Sequence, residues 1–264
     1  MNDLYLNLQQ AASDLIKVKE ALINEGVEIS DDTEVTTYAD KITSLYSDDV
    51  ETMRLAWWDV VTGKNTKPTY DNMFRYMDFD LIGGFNPPYT IKPTYCGGCF
   101  SYANIKKITP EQLDFSSCVS ANYGFSNCRA IEEIGRLHIP SGHGYLFAEC
   151  YALEKLGPLV LKKGLKLNVD GPPFVNCPKL REISFEGTII NSVSFRTSPL
   201  LSAESVENII SVLSTAEDIT GQTITFNSKV KETYYNAHSS EYADADTAWN
   251  ALVSTRPNWR ITLV

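Results

Sequence analysis

Phe125-Ser-Asn-Cys128-Arg-Ala-Ile131-Glu-Glu-Ile134 is a phrase the chain repeats. It returns as Phe147-Ala-Glu-Cys150-Tyr-Ala-Leu153-Glu-Lys-Leu156 and as Phe174-Val-Asn-Cys177-Pro-Lys-Leu180-Arg-Glu-Ile183. A copy shorter by one residue, Phe100-Ser-Tyr-Ala-Asn-Ile105-Lys-Lys-Ile108, precedes them. A last one, Phe195-Arg-Thr-Ser198-Pro-Leu-Leu201, carries Ser in the cysteine slot. Self-similarity at a period in the twenties predicts a stack of units, each too small to bury a core alone. Such a solenoid displays a surface and does not by default enclose a reaction.

Within one unit, the aromatic and the cysteine are expected to point inward from a short helical or 3₁₀ turn. The two aliphatics then lead into a strand such as Gly135-Arg-Leu137-His-Ile139 or Gly157-Pro-Leu159-Val-Leu161, where alternate side chains face the core. Corresponding strands should pair in parallel. The cysteine slot is predicted to want a small side chain, and the six cysteines are expected to be buried thiols rather than a disulfide framework. Asp71-Asn-Met73-Phe74-Arg-Tyr76 is a candidate degenerate first turn.

The fold class expected is α/β: a short solenoid with parallel strands, an N-terminal helical segment and a C-terminal α/β cap. Residues 1–48 form the helical attachment segment. Leu4, Leu8, Ala11, Leu15, Val18 and Leu22 make a seam that fits either a coiled coil or a helix packed on its own neighbour. Residues 49–94 are an aromatic-rich transition and N-terminal cap, 95–201 the repeats, and 202–264 the closing cap. In that cap Ser202 is the expected N-cap of a helix and Asp246 of another, with strands at Thr223-Ile-Thr-Phe226 and from Trp259.

The formal net charge is −10, which disfavours a general nucleic-acid or anionic-membrane binder. Residues 1–50 hold eleven acidic residues against three lysines, a balance of −8, so the remainder carries −2. Met-Asn-Asp-Leu-Tyr lacks the basic and apolar regions of a secretory peptide, and no stretch reaches the roughly 18 apolar residues of a membrane span. The expectation is a chain made and folded in a cytoplasm, with no membrane insertion.

At the repeats the sequence resembles the BspA-type leucine-rich repeat, whose consensus places an aromatic, a cysteine and spaced aliphatics in this order. The resemblance covers roughly residues 95–200. The flanks add a second one. Gly26-Val27-Glu-Ile29, Tyr38-Ala-Asp-Lys-Ile42, Asn86-Pro-Pro-Tyr89 and Asn258-Trp259-Arg-Ile261-Thr are similar to segments of phage tail and fibre proteins. Together these imply a non-enzymatic virion structural protein of tail or fibre type. Its partners would be other virion proteins and a host surface protein or glycan, and its N-terminal helices would build a homo-oligomer. The alternative is a bacterial surface adhesin or host-interaction protein of the same repeat family.

Chemistry is sparse in the sequence. Cys96-Gly-Gly-Cys99 has no second ligand pair for structural zinc and reads as two small residues in a tight turn. His138 and His143 read as surface histidines. Neither a phosphate loop nor a nucleophile elbow is present. No catalytic or metal-ligating residue and no cofactor is therefore nominated, and no binding residues are assigned. The one lead is aromatic: Tyr89, Tyr95, Tyr102, Tyr123, Tyr145 and Tyr151 fall on or between the repeats, where outward-facing rings would supply stiff contact area.

Overall fold

The computed structural model describes residues 69–264 apart from 83, 88, 169, 217, 218 and 220. The expectations for residues 1–48 and for 55–61 lie outside the described residues. What is described is a mixed α/β structure with two parallel sheets.

Each phrase folds as three successive i→i+3 turns. In 121–128 the amides of Gly124, Ser126 and Cys128 donate to the carbonyls of Ala121, Tyr123 and Phe125 at 2.9, 3.0 and 3.1 Å. The alternate amides, of Ala121, Tyr123, Phe125 and Asn127, donate outward to Gly142, Gly144, Leu146 and Ala148 at 2.7 to 2.9 Å. The same alternation ties 70–77 to 95–101 and 96–103 to 120–126. Backbone groups that cannot be left dry are thus shared between a tier and its neighbour. The geometry needs a positive φ at the third residue of the first and third turns, as at Tyr123 (58°) and Asn127 (62°).

The repeated aromatics form one column. Phe74, Phe100, Phe125, Phe147, Phe174, Phe195 and Phe226 lie ring against ring with successive centroids 5.1 to 5.9 Å apart. All seven are essentially inaccessible, and burying each contributes about 1.5–3 kcal/mol before entropy is counted. The degenerate turn at Phe74 therefore belongs to the stack. Beside it the first aliphatics Ile105, Ile131, Leu153, Leu180 and Leu201 are buried too.

Size alone does not explain the cysteine slot. Each thiol donates to the phenylalanine carbonyl of the preceding tier: Cys128 to Phe100, Cys150 to Phe125 and Cys177 to Phe147, at 2.7, 3.1 and 3.1 Å. The Phe100 and Phe125 carbonyls already accept the amides of Ala103 and Cys128, so there the thiol serves the second lone pair. Ala103 drops the contact. At Ser198 the buried hydroxyl has no partner among the described residues, and Thr197 faces Phe174 O instead at 3.4 Å.

The aliphatics feed the first sheet: β1 (Lys107–Ile108), β2 (Glu133–Ile134), β3 (Leu137–His138), β4 (Lys155–Val160) and β5 (Glu182–Glu186). β4 carries β2 and β3 along one side and β5 along the other, all parallel. Ile108, Ile134, Leu156 and Ile183 share one register, a buried aliphatic row. The expected strands at 135–139 and 157–161 are present but displaced, β3 being two residues and β4 starting at Lys155.

The sheet stops at β5 because a helix supplies what a further strand would. In α1 (Ala203–Ser211), Ser205 Oγ accepts the Ile183 amide at 2.9 Å and Asn208 Oδ1 accepts the Phe185 amide at 2.7 Å. Ser202 caps α1 as its sequence indicates, accepting the Ser205 amide at 3.2 Å. The second sheet then runs β6 (Val193–Phe195), β7 (Gln222–Phe226) and β8 (Trp259–Leu263), again parallel. Between β7 and β8 lie α2 (Lys229–Ala237) and α3 (Ala245–Ser254). Trp249 of α3 meets Phe226 edge-on at 5.8 Å and covers the end of the column. The cap of α3 is Asp244, whose carboxylate accepts the Thr247 amide at 2.7 Å and is held below the usual range by it. Asp246, the expected cap, instead pairs with Lys231.

Candidate binding face

The outward residues of the turns form rows. Two positions after each phenylalanine stand Tyr76, Tyr102, Asn127, Glu149 and Asn176, all at positive φ. Two positions before stand Asn72, Gly98, Tyr123 and Tyr145, also at positive φ. Asn and Gly adopt this conformation readily, whereas for a bulky side chain it is an outlier costing roughly 1–2 kcal/mol. The tyrosines stack in pairs, Tyr76 on Tyr102 at 4.9 Å and Tyr123 on Tyr145 at 5.1 Å. A stacked pair returns about 0.5–1.5 kcal/mol beyond the area it buries, set against the strain of its two members.

Tyr76, Tyr102, Tyr123 and Tyr151 are 51, 44, 50 and 40 % exposed. Arg75 lies over the rings of Tyr76 and Tyr102, and Arg129 lies over Tyr151, at 4.9, 5.8 and 5.6 Å from the centroids. Tyr151 donates to Glu149, which raises its own hydroxyl's pKa, and Asn176 donates to the same carboxylate at 2.5 Å. Tyr89 and Tyr95 are also exposed, while Tyr145 is half-buried. Five of the six tyrosines singled out in the sequence are thus exposed. The sequence reading missed Tyr76, which sits in the degenerate turn.

The sheet's outer surface is a charge ladder. Lys107, Glu133, Lys155 and Glu182 stand in register, with Lys107–Glu133 at 2.8 Å and Lys155–Glu182 at 2.9 Å. Arg136 makes a two-point contact with Glu186, which lowers that carboxyl's pKa. These exposed pairs add little stability. A groove of about 610 Å³ runs between this ladder and the start of α1, lined by Glu133, Lys155, Glu182, Ser184, Ser202 and Glu204.

Two sequence expectations are corrected here. His143 is 1 % exposed, not a surface residue; its Nδ1 lies 2.8 Å from Pro140 O. Cys96 and Cys99 form a disulfide across their Gly-Gly pair, whereas Cys118, Cys128, Cys150 and Cys177 are free and buried as expected. Burial pushes the Cys118 and Cys177 thiols up to about 12, and those of Cys128 and Cys150 well up, so none is a ready nucleophile. Among the described residues no group of His, Cys, Asp and Glu could hold a metal ion, and no helix is long and apolar enough to cross a membrane.

No family model, curated protein or solved structure matches this chain.

Proposed function

We propose that the chain is a leucine-rich-repeat solenoid of BspA type acting as a non-enzymatic virion component of tail or fibre kind. The observation that carries this reading is the pairing of a continuous inner phenylalanine column with rows of exposed tyrosines on the same turns. Such a body is a rigid platform whose outer residues are free to be spent on recognition. Residues 1–48, acidic and seamed with leucines, would oligomerise or dock on the particle, while the tiers face a host surface or another virion protein. Light scattering of the full chain and of a variant lacking residues 1–48 tests the attachment role. The full chain is expected as an oligomer and the deletion as a folded monomer; an oligomeric deletion variant refutes it.

The Cys96–Cys99 disulfide favours a protein that works outside a reducing cytoplasm. A released virion satisfies that, and so does a bacterial surface adhesin of the same repeat family, the second reading. Capsid and tail genes beside this one would support the first, secretion genes the second.

A further inference from the structure

β8 (Trp259–Leu263) is the last strand of a sheet ordered β6-β7-β8, so it has a neighbour on one side only. In a parallel strand alternate residues face that neighbour with both their backbone groups. Val264 N donates to Phe226 O at 3.0 Å, and Val264 O accepts the Ser228 amide at 2.8 Å, so residue 264 faces β7. Counting back by two, so do Thr262 and Arg260. Ile261 and Leu263 therefore turn both amide and carbonyl away from β7, and no described residue bonds to any of these four groups.

The other sheet shows how this molecule closes an edge. Ser205 Oγ and Asn208 Oδ1 of α1 accept the amides of Ile183 and Phe185 in β5. At the opposite edge β1 is two residues long, and Gln112 Oε1 accepts the Thr109 amide just beyond it at 2.8 Å. Covering side chains, short strands, proline and bulges are the usual devices against strand addition. β8 has none of them. It is five residues long, pairs with β7 in one unbroken register and contains no proline. Its side chains are unfinished too: Ile224 and Phe226 are fully buried, whereas their register partners Ile261 and Leu263 are only half-buried.

We infer that the free edge of β8 takes an extended segment of a partner protein as a fourth strand. The occupant follows from the edge. Donors and acceptors on alternate residues are matched by another extended backbone, whereas a helix has bonded its own groups internally. The flanking side chains set the pattern of the segment: apolar beside Ile261 and Leu263, and acidic on the opposite face beside Arg260. That arginine is exposed and has no carboxylate partner among the described residues. A second copy is disfavoured, because five residues a side fall far short of the roughly 20–30 of a stable interface. A segment of a larger partner adds instead to contacts made elsewhere. The surface involves neither the tyrosine rows nor residues 1–48, so it stands independently of the attachment role.

Amide exchange by NMR on the full chain tests it. The free chain should protect the Thr262 amide and leave those of Ile261 and Leu263 open. A blocked peptide of about seven residues alternating valine and glutamate should protect both and give a saturable anisotropy signal. Ile261→Pro removes an outward amide and spares the bonds to β7, so affinity should fall at least about tenfold while melting stays cooperative. Arg260→Glu, on an exposed side chain, reports even where the proline variant fails to fold; it should shift preference to a valine–lysine peptide. Tyr102→Asn should leave binding unchanged. Absence of binding by the valine–glutamate peptide, open Ile261 and Leu263 amides in its complex, or unaltered affinity in both edge variants overturns the site. So does protection of those amides in the free chain, whether constant on dilution, which would mean a covering segment of the chain itself, or rising with concentration, which would mean a second copy.

Discussion

On the inner side of each turn the residue suits its place: phenylalanine on phenylalanine, and a thiol or small side chain where the tiers come close. On the outer side of the same turns Tyr76, Tyr102, Tyr123 and Tyr145 occupy backbone that Asn or Gly would hold with less strain. The two sides share one hydrogen-bond ladder and differ by only two residues in sequence. Packing dictates the inner identities, whereas the outer rings combine stacking on their neighbours with a strained backbone. Departure from local preference on an exposed row is thus the place to look for recognition.

The contrast breaks most readily from within. Cys150→Arg puts an unpaired guanidinium into the stack beside Phe147, and the burden is comparable with a domain's whole stability of about 5–15 kcal/mol. The cooperative melt should vanish from circular dichroism; retention of the wild-type midpoint would refute the inner role of the slot.

Alkali should act on the same slot more mildly. Unfolded thiols ionise near the ordinary value of 9.0, while burial keeps the folded Cys177 protonated to about 12. Ionisation above pH 9 therefore favours the unfolded chain, and stability falls as pH rises between those values. The loss is roughly 1.4 kcal/mol per pH unit for such a thiol. Urea midpoints at pH 8 and pH 10.5 should separate less in Cys177→Ala than in the parent chain; an equal separation would remove the thiol from the account.

The outer row should give the smallest response. Tyr102→Asn exchanges ring stacking for relief of strain and should shift stability by no more than about 1 kcal/mol, in the stabilising direction. A loss of several degrees in melting temperature would mean that the outer tyrosines are structural after all.

Much of the inner side was legible because its signal is repetition: Phe125, Phe147 and Phe174 with their cysteines announce a stack without reference to any one tier. Ser202 was equally plain as a cap. The hydrogen bond from each thiol to the preceding phenylalanine carbonyl was not legible, since residue type cannot reveal which lone pair is left over. α2 escaped notice because only Val230 and Tyr234 of Lys229–Ala237 are buried, too few for a helical period to register. The open edge of β8 depends on which of its backbone groups β7 takes, and that needs the register first. His143 looked like a turn residue on the surface; its turn is there, yet the ring goes inward beneath Pro140.

The edge-on meeting of Trp249 with Phe226 has a consequence for growth. A column of parallel rings invites another ring at its open end, and so another copy of the chain, indefinitely. By presenting an indole at 90° to the last phenylalanine, α3 ends that periodicity. At that end the chain has a terminus written into its own core, and further assembly must use other surfaces.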